Sequence, residues 1–236
     1  MYYLNQHAHC CTFNDGAVIL DMRTGKYLGI DSRHLPALMA NVVDWPTTST
    51  PRPEHKLHND DESNQLISTL CRRNILTTMP SFKPAVRLPS PLHSVSATGC
   101  GRIPKSVPTR HKLLFVVALL RVLSMRHKHH LEPIVDWIRV HQDAMTRRQT
   151  PDIEHITRLL WSFERTRVWF YTARQYCLLD SLVLSVFLSL ARQPCALVIA
   201  VATKPFLAHA WVQVDEAVLN DAVEHVQLFR PLLIVG

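Results

Sequence analysis

CLLDSLVLSVFLSLARQPCALVIAVATKPFLAHAWVQVDEAVLND, residues 177–221, divides into a helix and three strands. Leu178 to Leu190 contains no Gly or Pro and is stopped by Pro194, so the spacing predicts a helix. LVIAVAT (197–203) is rich in β-branched residues, AHAWVQV (208–214) alternates, and AVLN (217–220) is a short third strand. Cys177 stands at the mouth of the helix, where exposed N–H groups and the helix dipole favour a thiolate. His209 lies on the second strand and Asp221 follows the third. A thiol, an imidazole and a carboxylate in that chain order are the parts of a nucleophilic cysteine site. Gln175, two residues before the cysteine, adds an amide that can donate to an oxyanion beside the Cys177 N–H. Trp211 suits the core or a pocket wall.

The register of the last two strands decides whether these groups meet. A two-residue turn at Asp215-Glu216 pairs residue 210 with 221 and sends His209 and Asp221 to opposite faces. A three-residue loop at 214–216, or a bulge, sets 209 opposite 221 and closes the triad. The odd-numbered loop is therefore the expectation.

Outward from this stretch, 236 residues leave room for one large or two modest domains. Forty-seven per cent apolar and 19% charged residues fit a globular chain. Leu113 to Leu120 is cut short by Arg121, and Leu178 to Ala191 carries Asp180 and serines, so no membrane insertion is expected. The N-terminus lacks the basic-then-apolar order of a signal peptide. Cys10, Cys11, Cys71, Cys100, Cys177 and Cys195 are irregularly spaced, which suits reduced thiols and a cytoplasmic location. His7, His9, Cys10 and Cys11 cluster, but no second pair follows at zinc-finger spacing, so no metal is expected. The net charge of +7 is concentrated in 80–110 and 111–176, at +5 each, while 1–79 carries −1 and 177–236 carries −2. That places the basic excess on a solvated face, outside both functional units, and no nucleic-acid partner is expected.

Residues 2–31 predict three short strands, with AVILDM (17–22) and KYLGID (26–31) joined through Arg23-Thr24-Gly25. Helices follow at about 32–43 and 60–73, the second opening on acidic and closing on basic residues. Three strands then helices make a small winged-helix-like domain over 1–79. Residues 80–110 hold six prolines and no acid, and read as a linker without helix or sheet. Helices at 111–129, 131–146 and 152–171 then precede the cysteine helix and its strands. The chain is α+β, with a second domain over 111–236 built on a small antiparallel sheet.

AHAW followed by VLND resembles the transglutaminase-like cysteine peptidases of lasso-peptide biosynthesis, the B proteins, which share a papain-like order of Cys, His and Asp. The resemblance assigns the nucleophile to Cys177, the base to His209 and the orienter to Asp221. One departure is Gln193, where a glycine before Pro194 is expected. ILDMRTGKYLGID is similar to the opening of the domains that bind leader segments of ribosomally made peptides. In that family the leader adds as a strand beside the third strand and packs on the last helix. Carried over, the strand is 26–31 and the helix 60–73, with Lys26, Tyr27, Leu28, Ile30, Leu66, Leu70 and Arg73 as candidate contacts. For each of Leu66 and Leu70 a plain core position is the stronger reading. The resemblance implies a leader peptidase whose substrate is a lasso precursor peptide. Its partner is an asparagine-synthetase-like cyclase, which is the component that uses ATP; the chain itself shows no site for a cofactor. Two other readings of the residues stand beside it: a transglutaminase-type acyltransferase, and a winged-helix DNA-binding regulator with a sensor domain.

Overall fold

The computed structural model describes residues 1–43, 45–46, 61–80, 88–95, 106–125, 130–146, 150–172 and 176–236. The chain separates into two compact units, 1–85 and 86–236.

The first unit is strands followed by helices. Four strands open it, one more than the sequence suggests: β1 (Tyr2–Leu4), β2 (Ala8–Phe13), β3 (Gly16–Asp21) and β4 (Lys26–Asp31). The last three form an antiparallel meander in the order β2-β3-β4, leaving β4 at an edge. Gly25, at φ +64°, supplies the left-handed residue of the β3–β4 turn. A 3₁₀ turn (Ser32–His34) leads into α1 (Leu35–Asn41), so the helix expected at 32–43 is split. Its end is set by Val42 and Val43, β-branched residues that become β5 and pair parallel with β1. α2 (Asp61–Arg72) and β6 (Leu76–Thr77) complete the unit, β6 flanking β1 on its other side. Ile19, Ile30, Leu38, Ile67 and Leu70 lie in its core.

The second unit packs helices α3 (Thr109–Met125), α4 (Glu132–Thr146) and α5 (Ile153–Arg167) around α6 (Cys177–Leu190). Residues 180–189 of α6 are buried on every side, which is why that helix shows no polar face in sequence. Phe115, Phe163 and Phe187, one from each of α3, α5 and α6, pack in a row with ring centres 5.3 and 5.5 Å apart. Gln142 of α4 is fully buried; it donates to Ser189 Oγ (2.8 Å) and accepts from the Cys195 N–H (2.9 Å), fixing the far end of α6. The sheet contains β7 (His93–Ser94), β8 (Ala196–Thr203), β9 (Phe206–Val214), β10 (Ala217–Val218) and β11 (Arg230–Val235), in the order β11-β8-β9-β10-β7. A short helix, α7 (Val223–Val226), precedes β11.

Three expectations are corrected here. The segment 80–110 is not a linker free of sheet: His93 and Ser94 pair parallel with Ala217 and Val218, and the Pro89 carbonyl accepts from Gln213 Nε2 at 2.8 Å. Proline forbids a donor at its own position only, and 92–95 contains none, so Leu92 and Val95 donate to Glu216 and Val218. Second, β11 escapes the sequence reading altogether, although it forms an edge of the sheet. Third, β9 and β10 are joined by the two-residue turn, with Val214 opposite Ala217 and Gln213 opposite Val218. Asp215, at φ +47°, supplies the positive φ that such hairpin turns demand.

The α6 terminus also explains the missing glycine. Arg192 takes the left-handed conformation (φ +58°), its N–H bonding Ser189 O at 3.0 Å while the Gln193 N–H bonds Leu188 O at 2.9 Å. The position that asks for glycine is therefore 192, one earlier than the proline-based expectation. Arg192→Gly should stabilise the protein by about 0.5–1 kcal/mol, the left-handed penalty less the entropy of glycine. A higher urea midpoint at unchanged slope is the expected observation, and a lower midpoint would count against this account of the cap.

Candidate active site

The site is built where β10 leaves β9. A continuing ladder would pair Val212 with Leu219, and the Leu219 N–H does donate to Val212 O at 2.9 Å. The reciprocal bond is not made: Val212 N–H goes instead to Asn220 Oδ1 at 2.8 Å. From there the chain turns out of the ladder. This departure resolves the register problem, because Asp221 no longer follows the pleat and reaches the face of His209 despite the even-numbered turn.

The freed edge of β9 is taken up by α6. Ser181 Oγ donates to Ala210 O at 2.9 Å, and the Ala210 N–H bonds the sulfur of Cys177. Asn220 Nδ2 donates to Asp180 Oδ2 and Ser181 Oγ, both at 3.0 Å. Asp180 is 1% exposed and accepts two 3.0 Å contacts from Arg167. A buried carboxylate with a cationic and an amide donor is satisfied rather than stranded. The cluster thus ties α5, α6, β9 and the Asn220–Asp221 segment together.

On this frame Cys177, at the first position of α6, is hydrogen-bonded with His209, and His209 Nε2 with Asp221 Oδ2. With Nε2 engaged, the ring's other nitrogen, Nδ1, is the one that faces the sulfur. All three side chains are partly exposed and line an open cleft of about 520 Å³ together with Leu207, Ala208, His225 and Phe229. The hydrogen bond to His209 lowers the Cys177 pKa, and the imidazolium charge with the N–H groups of Ala210 and Leu178 outweighs the opposing effect of burial. For His209 burial is the largest single influence and works downward. The hydrogen bonds and charges of Asp221 and Cys177 together overcome it and raise the ring to about 9. Burial likewise pushes Asp221 up, but His209, the Ala222 N–H and His225 hold it below its ordinary value. The arrangement favours a thiolate–imidazolium pair with a charged carboxylate behind it, the resting state of a cysteine nucleophile.

Trp211 is 2% exposed, a core residue whose ring stacks 6.2 Å from that of His209 and which lines a separate pocket with Leu88 and Val226 instead of the cleft. Gln175 lies outside the described residues. In the first unit, Lys26 and Arg73 are exposed and Tyr27 partly so. Leu70 (0% exposed) and Ile30 (6%) lie in the core of the unit, alternation turning Ile30 inward with Leu28. Leu28 and Leu66 pack partly buried against the same core. Along β2, alternation sends Cys10 to the face opposite His9 and Cys11.

Sequence reasoning missed Arg167, Asp180, Asn220 and His225. Asp180 left a readable signal, being the lone charge in an otherwise uncharged helix run. His225 left a weaker one, the i,i+4 spacing from Asp221.

Alkylation of the folded protein by iodoacetamide should show Cys177 reacting with a pH midpoint below that of an ordinary thiol, and His209→Ala should raise that midpoint. An unchanged midpoint in the variant would remove the imidazole from the account. Cys195, which burial pushes up to about 12, should stay unlabelled.

A profile of the transglutaminase-like superfamily matches residues 113–234, just over half of the chain. No curated protein and no solved structure matches it.

Proposed function

The chain belongs to the transglutaminase-like superfamily, and from that premise we propose that it is a cysteine peptidase that cuts the leader from a lasso-type precursor peptide. The observation that carries the reading is a helix-terminal thiol hydrogen-bonded with an imidazole that is itself backed by a carboxylate, all opening on one cleft.

In this reading the Cys177 thiolate attacks the carbonyl carbon at the leader–core junction. The oxyanion that forms is stabilised by the N–H at the start of α6. The C–N bond breaks as His209 gives its proton to the departing amine, which is the new N-terminus of the core. His209, now neutral, takes a proton from water; the hydroxide adds to the thioester, the C–S bond breaks, and the leader leaves as a carboxylic acid. Asp221 keeps the ring oriented and charged. The freed amine is the group that an ATP-using, asparagine-synthetase-like cyclase would join to a side-chain carboxylate.

Support for a peptide substrate held by its leader comes from two sides. The sequence of 19–31 is similar to leader-binding domains, and β4 stands at a sheet edge whose outer side pairs with no strand among the described residues. Main-chain bonds along that edge, with Lys26, Tyr27 and Arg73 as the accessible candidates, suit strand addition. Binding the leader on a tethered unit raises the effective concentration of the junction at the cleft. The free thiols Cys10, Cys11, Cys71, Cys177 and Cys195 suit a reducing cytoplasm. Among the described residues no helix is long and apolar enough to cross a membrane.

Cys177→Ala should abolish cleavage of a precursor while leaving leader binding intact. His209→Ala should cost roughly 10²–10⁴ in rate, and Asp221→Asn should retain a measurable fraction. Mass spectrometry of the products decides between hydrolysis and acyl transfer: free leader acid supports the proposal, and an amidated or cross-linked leader would replace it with a transferase.

The pH profile of kcat/KM should be bell-shaped. Its acid limb follows the lowered Cys177 thiol, and its alkaline limb falls near pH 9 as His209 loses its proton. An alkaline limb near 6.5 would mean that the ring is not held by Asp221.

A further inference from the structure

His225 plays no part in the mechanism above, yet its ring is aimed at the carboxylate on which that mechanism depends. Nδ1 of His225 lies 3.1 and 3.0 Å from Asp221 Oδ1 and Oδ2. His209 Nε2 approaches the same carboxylate from β9. One ligand atom from each of the three residues falls within 4.8 Å of the other two. Exposure rises across the trio, with side chains 11% exposed at His209, 20% at Asp221 and 47% at His225, so the group is anchored at one end and open at the other. We propose that His209, Asp221 and His225 form a binding site for a borderline divalent cation of the Zn²⁺ type, which shuts the active site reversibly.

Two imidazoles and one carboxylate on separate elements, with the cleft open for water as a fourth ligand, make the donor set of a non-structural zinc site. Two nitrogen donors select against Ca²⁺ and Mg²⁺, which want oxygen. The outer sphere is also in place: the Ala222 N–H fixes Asp221 Oδ1 at 2.7 Å, and the Phe229 ring backs both imidazoles at 5.0 and 5.4 Å between centres. The cation takes the place of the protons that now join each ring to the carboxylate. With Nε2 of His209 on the metal, the single remaining ring proton resides on Nδ1, the nitrogen that faces Cys177. The ring can then release that proton only by becoming an imidazolate, so it no longer supplies the proton that the departing amine needs. This inhibitory consequence rests on the peptidase reading; the binding site does not.

Isothermal titration of Zn²⁺ into the wild-type chain, Cys177→Ala and His225→Ala separates the possibilities. Wild type and Cys177→Ala should each bind one ion at this site with similar affinity, and His225→Ala should weaken that binding by at least about tenfold, the loss typical of even an outer-sphere partner. Circular dichroism establishes that His225→Ala is folded; if it is not, His225→Asn, which keeps a polar side chain, serves in its place. Binding lost in Cys177→Ala but unchanged in His225→Ala would assign the ion to the thiol–imidazole pair and overturn the proposal. Absence of binding by wild type would do the same. In cleavage assays Zn²⁺ should inhibit and a chelator restore activity. A protein that binds Zn²⁺ through His225 but never cleaves would overturn the peptidase reading while leaving the site standing.

Discussion

Two polar groups at Ala210 govern this site. A strand edge left unpaired within a core must find partners for its N–H and C=O, or lose the cost of burying them. Here α6 provides both, the carbonyl being capped by Ser181 and the amide by the sulfur of Cys177. The same contacts fix the distance between the start of the helix and the residue beside Ala210, which is His209. Nucleophile and base are therefore brought together by the need to finish a sheet, and the side chains inherit a geometry already set by main-chain chemistry.

Electrostatics then completes what packing begins. Enclosing an imidazole ordinarily drives it neutral, and enclosing a thiol ordinarily keeps its proton on. Both tendencies are reversed because each group is the other's partner, with Asp221 holding the far side of the ring. Asp221 in turn depends on its neighbour Asn220, whose amide bonds Val212, Asp180 and Ser181. The Arg167–Asp180 pair lies beneath that amide. Charge is buried there where the backbone changes direction, a use better explained by positioning than by stability.

Much of this was visible in the chain before any coordinates. The Gly- and Pro-free stretch after Cys177, the alternation around His209 and the acidic-to-basic order of the helix now seen at 61–72 are local signals, and local signals survive into structure. What stayed hidden depended on partners distant in sequence. Nothing local distinguishes His93-Ser94 from the prolines around it, since its strand character exists only against Ala217 and Val218. The loop at Asp215-Glu216 was misjudged for an instructive reason. Parity arguments assume that a ladder runs to its end, whereas this one is broken after one further bond by an asparagine that imitates a carbonyl. Leu70 and Ile30 entered as candidate contacts through the resemblance alone, and both lie buried in the core of the first unit.

The pairing of β7 with β10 has a consequence during biosynthesis. His93 of β7 and Ala217 of β10 are partners far apart in the chain, so the earlier one leaves the ribosome long before the later one exists. Long-range closures of this kind come late in folding. Helices α3 to α6 can assemble on a nascent polypeptide, but the sheet edge that activates the sulfur cannot. A half-made molecule accordingly lacks the imidazole that does most to lower the thiol, and full reactivity arrives only once translation has passed Asp221.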